Sequence, residues 1–547
     1  MTMKTQLPFA ITLDPGTSLA NHTGSWRTLK PIYKDRLPPC NNACPAGENI
    51  QGWLYHAEEG DYKTAWELLM RDNPMPAVMG RVCYHPCEES CNRADLDEAV
   101  SIHAVERFLG DQAIKNGWKP RVENSSTGKK VLIVGAGPSG LSAAYHLKLL
   151  GHDVTIREAG PMAGGMMRFG IPKYRLPRDV LDKEIQRIVD IGVVLELNTT
   201  VEDIAGAFDL ENFDAVFVAV GAHLGKRTDI PAHAASKILD AASVLRDMET
   251  GLEPPQLGRR VIVYGGGNTA MDVARTVKRL GVDEAMIVYR RSRNEMPAHD
   301  FEATEAEEEG VLIHWLRTIK QIDESTFTVE KMTIDDTGRP QPTGEFETLE
   351  ADTLILALGQ DVDTYFLEKV DGVKIATDGV VDVDERMMTG YPGLFAGGDM
   401  VPSERTVTVA VGHGKKAARH IDAFLNEEAY EKPEKNKLAE FENLNTWYYD
   451  DAPGAEQPAL DIIRRQTSFD EVIGDLDESN ALFEARRCLS CGNCFECDNC
   501  YGVCPDNSVK KLGPGKRFEF IYDFCKGCGL CAAECPCGAI EMVPETS

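Results

Sequence analysis

Near the end of the chain, four cysteines spaced C-x2-C-x2-C-x3-C and followed by proline occur twice. They are Cys494, Cys497, Cys500 and Cys504 before Pro505, and Cys525, Cys528, Cys531 and Cys535 before Pro536. Three thiolates at this spacing close on one [4Fe–4S] cube, while the displaced fourth reaches the neighbouring cube. The pattern predicts one cluster on Cys494, Cys497, Cys500 and Cys535 and a second on Cys525, Cys528, Cys531 and Cys504. C-x2-C pairs also bind zinc, but doubled triplets ending in Cys-Pro fit zinc poorly. The other eight of the 16 cysteines are Cys40, Cys44, Cys83, Cys87 and Cys91 near the start and Cys488, Cys491 and Cys537 near the end. Clustering of this kind points to metal or redox chemistry in a reducing compartment, not to a disulfide framework.

Two stretches of the cysteine-free middle read as strand, glycine turn and helix. In VLIVGAGPSGLSAAYHL, Gly135, Gly137 and Gly140 follow an apolar strand beginning at Val131. The first glycine allows the tight turn, the second lets a pyrophosphate approach the backbone, and the third lets helix and strand pack closely. The next strand, HDVTIRE, ends in Glu158, placed for ribose hydroxyls. Farther on, GLFAGGD carries Gly398 and Asp399 and precedes a helical pattern starting near Thr406. This pairing resembles the two motifs of a split flavin domain and favours FAD there.

The second unit, VIVYGGGNTAMDVARTV, supplies Gly265, Gly267, Asn268, Thr269 and Ala270 for a nicotinamide nucleotide. Its following strand ends in Arg290 and Arg291, with Arg293 close by, where an acid would pair with a free 2′-hydroxyl. Arginine accommodates a 2′-phosphate, so NADP(H) is preferred over NAD(H). The competing reading makes these arginines surface charges facing the run Glu302–Glu309, itself read as a solvated helix face. His299 and His314 read as structural histidines, and His413 falls near the flavin helix. No Ser-His-Asp or paired-carboxylate arrangement stands out, so hydrolytic chemistry has no support and no catalytic side chain is singled out beyond flavin-mediated hydride transfer.

These motifs need elements to hold them. The 547 residues, 43% of them hydrophobic, suffice for several cored domains. The expected class is α/β: an N-terminal helical iron–sulfur domain, two doubly wound dinucleotide-binding domains, and a C-terminal ferredoxin-like α+β domain. The boundaries read as 1–125 for the helical domain, 126–225 and 356–428 for the FAD domain, 226–355 for the NAD(P) domain, 429–480 for a linker arm, and 481–547 for the ferredoxin-like module. Trp53, Leu54, Ala57, Ala65, Leu68 and Leu69 recur at helical spacing in the first. A net charge of -29 excludes nucleic acid as a partner. No apolar run reaches the roughly 18 residues that suggest a membrane span, and the N-terminal stretch lacks a signal-peptide pattern. The expected location is cytoplasmic.

With these motifs in place, the chain resembles the small subunit of glutamate synthase and its relatives. The resemblance is carried by CNNACPAGENIQ, GRVCYHPCEESC, ERFLGD, GAGPSG, AGGMMRFGIPKYRLP, YRRSRNEMPA and GLFAGGD, over roughly residues 35–428. It implies that Gly164, Gly165, Gly170, Ile171, Pro172 and Arg175 line the flavin region, with hydride passing from nicotinamide to flavin. It also implies N-terminal clusters, one with a non-cysteine ligand; matching by motif gives Cys44, Cys83, Cys87 and Glu106.

The chain departs from that family in two places. The family's RCxxC element is missing before Cys40 but occurs as Arg487-Cys488-Leu489-Ser490-Cys491, preceded by Glu484 and Ala485. The expectation is that Cys488 and Cys491 fold back to complete a cluster with Cys40 and Cys91, leaving only Cys537 free; the alternative leaves all four unused. The ferredoxin-like tail looks like that of accessory electron-transfer subunits found with 2-oxoacid oxidoreductases or sulfur-metabolism enzymes. The expected function is electron transfer between NAD(P)(H) and a partner enzyme or ferredoxin through flavin and clusters. Glutamate synthase small subunit proper and a non-catalytic assembly subunit are the alternatives. A disulfide reductase would need a C-x2-C pair at the flavin, which the cysteine-free middle does not offer.

Overall fold

The computed structural model describes residues 22–545 except 227, 229, 232–236 and 251–254. The N-terminal stretch, expected to carry no signal peptide, lies outside the described residues.

Two five-stranded parallel sheets form the centre. The first has the order Leu394–Ala396, Ala215–Val218, Lys130–Val134, Asp153–Arg157 and Val194–Glu196. Val131–Val134 and Ala215–Val218 in its middle are apolar and buried, as a sheet covered on both faces requires. The strand from GLFAGGD is its outermost member, beside Ala215–Val218, so this domain is split around the second one. The second sheet runs Leu312–Trp315, Glu284–Tyr289, Arg260–Tyr264, Thr353–Leu356 and Lys237–Asp240. A three-stranded antiparallel sheet, Arg317–Asp323, Thr326–Ile334 and Pro340–Glu350, extends from it; periodicity had not marked it.

The helical N-terminal region is built from Ile50–Glu58, Tyr62–Leu69, Pro76–Val82 and Ile102–Asn116. The long apolar pattern breaks in two at Gly60, with φ +76, and the Asn49 and Asp61 side chains cap the two starts. Trp53, Leu54, Ala57, Ala65 and Leu69 are core residues, and Trp66 joins them; Leu68 is half-buried.

Chain ends cross the domain boundaries read from sequence. Strand Leu29–Tyr33 pairs antiparallel with Ile540–Pro544, from Leu29 opposite Pro544 to Tyr33 opposite Ile540. An early segment therefore completes the C-terminal module. Conversely, helix Glu478–Arg486 places Ala481 and Ala485 in the same core as Trp53 and Leu109. The arm 429–480 is fixed as well: Arg465 bonds Glu308 and Glu309, and Arg81 bonds Glu471. Glu302 and Glu309 are 1% and 0% exposed, which corrects the reading of that acidic run as a solvated face at its two ends; Glu307 and Glu308 between them are exposed. Arg275, Arg279 and Arg465 converge on Glu309 and neutralise it.

Candidate functional site

The first glycine loop has the shape a dinucleotide needs. Gly135 has φ +105, and a Cβ there would meet the Ala219 carbonyl oxygen at 2.5 Å. A Cβ on Gly140 would meet the Gly135 oxygen at 2.0 Å. Gly137 by contrast faces open space, the nearest atom to a Cβ there being Gly165 Cα at 4.0 Å. A pyrophosphate can therefore come up against the backbone at Gly137, where the helix Pro138–Leu149 begins. Glu158 accepts from the Ala136 and Gly160 amides at 2.8 Å each, which aims its carboxylate along the loop. Gly165 packs on Gly137 so closely that a Cβ would clash with its Cα. Against the first turn of helix Pro138–Leu149, beside Ser139, Gly398 has φ +76, and its amide donates to His413 Nδ1 at 3.2 Å. Burial pushes the Asp399 carboxyl up to about 6. Thr406 caps helix Val407–Leu425 by accepting from the Val409 amide.

The second loop repeats this plan. Gly265 is locked against the Ala357 carbonyl, whereas Gly267 has nothing within 4 Å of where a Cβ would stand. Ala270 is fully buried and Thr269 half-buried. Of the arginines beyond the next strand, Arg293 is committed to Asp300 and Glu307. Arg290 is exposed and Arg291 holds a buried Nε without a hydrogen-bond partner. Arg175 turns toward this domain: its Nη1 lies 2.9 Å from Asp272 and 2.7 Å from Glu302. Tyr84, next to Cys83, accepts from Asn268 Nδ2 at 2.6 Å and stacks on His299 at 3.8 Å. The helical iron–sulfur domain thus touches the nucleotide loop directly.

The cysteines assemble into four groups. Burial pushes the Cys40 thiol well above its ordinary range, and neighbouring Cys488, Cys91 and Cys491 add to the effect. Cys91 acts likewise on Cys488 and Cys491. The RCxxC element is held there by Arg487, which donates to the carbonyls of Ala99, Glu98 and Ala452 and bonds Glu484 and Asp97. Cys44, Cys83 and Cys87 form a second group, with Glu106 and Glu48 both close. Glu48 escaped the sequence reading. Asn73 Nδ2 donates to Glu48 at 3.1 Å and to Glu106 at 2.7 Å, and Trp53 Nε1 donates to Glu48. Burial pushes the Glu48 carboxyl up to about 7.

Cys494, Cys497, Cys500 and Cys535 influence one another in the third group. Tyr33 Oη lies 3.2 Å from Cys500 Sγ, and Cys537 Sγ lies 3.8 Å from Cys535 Sγ. Cys504, Cys525, Cys528 and Cys531 line one small cavity, closed on one side by Pro31. All the cysteines are unbridged. Thiols converging in groups of three and four are a donor set suited to a polycationic iron core.

Residues 129–414, more than half of the chain, match the family model described as pyridine nucleotide-disulphide oxidoreductase. The chain belongs to the pyridine nucleotide-disulphide oxidoreductase family. Residues 33–118 match dihydropyrimidine dehydrogenase domain II, 4Fe-4S cluster, and residues 518–541 match a 4Fe-4S binding domain. This family member is an oxidoreductase of the electron-transfer type, with FAD, pyridine nucleotide and 4Fe-4S clusters as its cofactors. It is 36% identical over 516 residues to the NADP(+)-dependent formate dehydrogenase subunit beta of Moorella thermoacetica, covering 85% of this chain and 71% of that one. It is 34% identical over 504 residues to the NADPH-Fe(3+) oxidoreductase subunit beta of Geobacter sulfurreducens, covering 83% and 75%. To the glutamate synthase [NADPH] small chain of Azospirillum brasilense it is 32% identical over 423 residues, covering 72% and 87%. No described helix is long and apolar enough to cross a membrane.

Proposed function

We propose that this family member is the nucleotide-oxidising or -reducing subunit of a larger cytoplasmic complex, linking NADP(H) to a partner enzyme or ferredoxin through four clusters in series. The observation that carries this is the adjacency of the cysteine groups. Thr408, in the first turn of the flavin-side helix, donates to Cys83 Sγ at 3.1 Å. Cys44 and Cys40 sit at opposite ends of one helical turn. Cys491 and Cys494 are three residues apart, and Cys531 lies close enough to Cys500 and Cys504 to be affected by both. The order is therefore Cys44/Cys83/Cys87/Glu106, then Cys40/Cys91/Cys488/Cys491, then Cys494/Cys497/Cys500/Cys535, then Cys504/Cys525/Cys528/Cys531. Cys497 and Cys528 in the last two groups are exposed, which suits delivery to a partner surface.

When bound, FAD exchanges a two-electron hydride for single electrons, which the clusters carry. Gly137 and Glu158 would receive its pyrophosphate and ribose; Asp399 and the start of helix Val407–Leu425 would face its inner end. Gly267 and Ala270 would receive the nicotinamide nucleotide, with Arg290 and Arg291 at a 2′-phosphate. Relatives named as a beta subunit or small chain support a partner subunit, and NADP in their names supports that nucleotide.

The test is an anaerobic titration of the purified chain with NADPH and with NADH, following flavin absorbance and the paramagnetic cluster signals. Bleaching by NADPH at lower concentration than NADH, followed by cluster signals, is expected. No flavin reduction by either nucleotide would overturn the reading and leave an assembly subunit.

A further inference from the structure

A second cavity lies away from both glycine loops. It has a volume of about 250 Å³ and is lined by Arg168, Ile171, Pro172, Lys173 and Arg178 from the flavin domain, by Leu245, Met248, Glu249 and Thr276 from two helices of the nucleotide domain, and by Phe469 of the arm. None of Gly135–Gly140, Gly265–Ala270, Asp399 or Thr406 borders it. The size suits a ligand smaller than a drug-sized molecule, and the composition is an apolar body with a few polar groups.

The charge of the lining says that a ligand belongs there. Among the described residues, Glu249 is the one carboxylate in the lining, held by Arg178 at 2.9 Å. Arg168 Nη1 and Lys173 Nζ stand 3.7 and 3.6 Å from Glu249, beyond hydrogen-bonding distance. Arg168 also pairs with Asp182, whose side chain is 60% exposed. Among the described residues, three cations face two carboxylates, Glu249 and Asp182, which leaves room for one more negative group, with donors on Arg168 and Lys173 still available to it.

We propose that this cavity binds a small amphipathic organic carboxylate: its apolar body against Leu245, Met248, Ile171 and Phe469, and its carboxylate toward Lys173 and Arg168. The walls come from the flavin domain, the nucleotide domain and the arm, so such a ligand would clamp the three together. The inference does not rest on the cluster order or on the choice of nucleotide.

The test is calorimetric titration of the holoprotein with octanoate and decanoate, with 1-octanol as the neutral control. One saturable site for the carboxylates, and at least tenfold weaker binding of the alcohol, is expected. Lys173→Ala, at a position whose side chain is 48% exposed, should weaken carboxylate binding about tenfold, the scale of a charge-assisted hydrogen bond; Leu245→Trp should abolish it by filling the cavity. Flavin content verifies that each variant is folded. Carboxylate binding that is absent, unsaturable, or unchanged in Lys173→Ala would overturn the proposal. Equal binding of 1-octanol would overturn it too, since the site would then have no preference for an anion.

Discussion

Asn73 is completely buried and carries no charge, yet its amide donates to Glu48 and Glu106 together. Both carboxylates face the thiols of Cys44, Cys83 and Cys87. Asn73→Leu would leave two buried acids without their shared donor, at a cost of roughly 2–4 kcal/mol. The expected outcome is loss of roughly four iron atoms per chain, the content of one [4Fe–4S] cluster, with flavin content retained. Iron analysis checks it, and unchanged iron would remove Asn73 from any role at that cluster. At the same scale, Arg290→Ala and Arg291→Ala should each raise KM for NADPH about tenfold while leaving NADH alone. Arg293→Ala should change neither, because Asp300 and Glu307 already hold that side chain. The spacing of the arginines after the strand was legible in the sequence. Which of them were free was not, because their acidic partners belong to the next helix, and periodicity does not report side-chain pairing.

At the scale of elements, strand Leu29–Tyr33 decides how well the C-terminal groups are shielded. It supplies Pro31 to the cavity of Cys504, Cys525, Cys528 and Cys531, and Tyr33 Oη to Cys500. Hydrogen bonds to cluster sulfurs tune reduction potential, and losing a donor destabilises the more negative reduced state. Tyr33→Phe is therefore expected to lower the midpoint potential of the cluster on Cys494, Cys497, Cys500 and Cys535, read by an EPR-monitored redox titration. An unchanged potential would mean that the tyrosine hydroxyl does not bond the sulfur in the loaded protein. Helix Glu478–Arg486 does the matching service for the N-terminal region. Its alanines pack into that core, and Arg487 fixes the turn that follows.

At the scale of the whole molecule, the series of cysteine groups depends on contacts between distant parts of the chain. Cys488→Ser with Cys491→Ser should remove one cluster and interrupt the series. NADPH should still bleach the flavin, while the signals of the two C-terminal clusters should grow far more slowly. Unchanged iron content and unchanged cluster reduction together would refute the proposed grouping. The two nucleotide domains are joined by Arg175, buried between Asp272 and Glu302. Arg175→Leu leaves both acids buried without that cation, a loss of about 3–5 kcal/mol, which thermal unfolding of the holoprotein would show. The resemblance places Arg175 by the flavin; in the structure its guanidinium ties the flavin domain to the nucleotide domain.

The sequence alone determined the chemistry and its local frames. Glycine spacing after an apolar strand dictates a nucleotide turn wherever it lies in the fold, because steric limits on φ and on backbone approach are local. Cysteine triplets at C-x2-C-x2-C likewise define a cluster site from neighbouring residues. The split of the flavin domain was legible too, since its two motifs flank the second unit. The tertiary structure decided what depends on residues far apart: the strand that joins residues 29–33 to 540–544, the burial of Glu302 and Glu309, and the place of Glu48; the meeting of Cys40 and Cys91 with Cys488 and Cys491 was already expected from the displaced RCxxC element. Each of these is set by packing, hydrogen bonding or charge neutralisation between segments that are not neighbours in the chain. Local spacing carries no signal of such pairings, because they become favourable only once the cores that bring the segments together have formed.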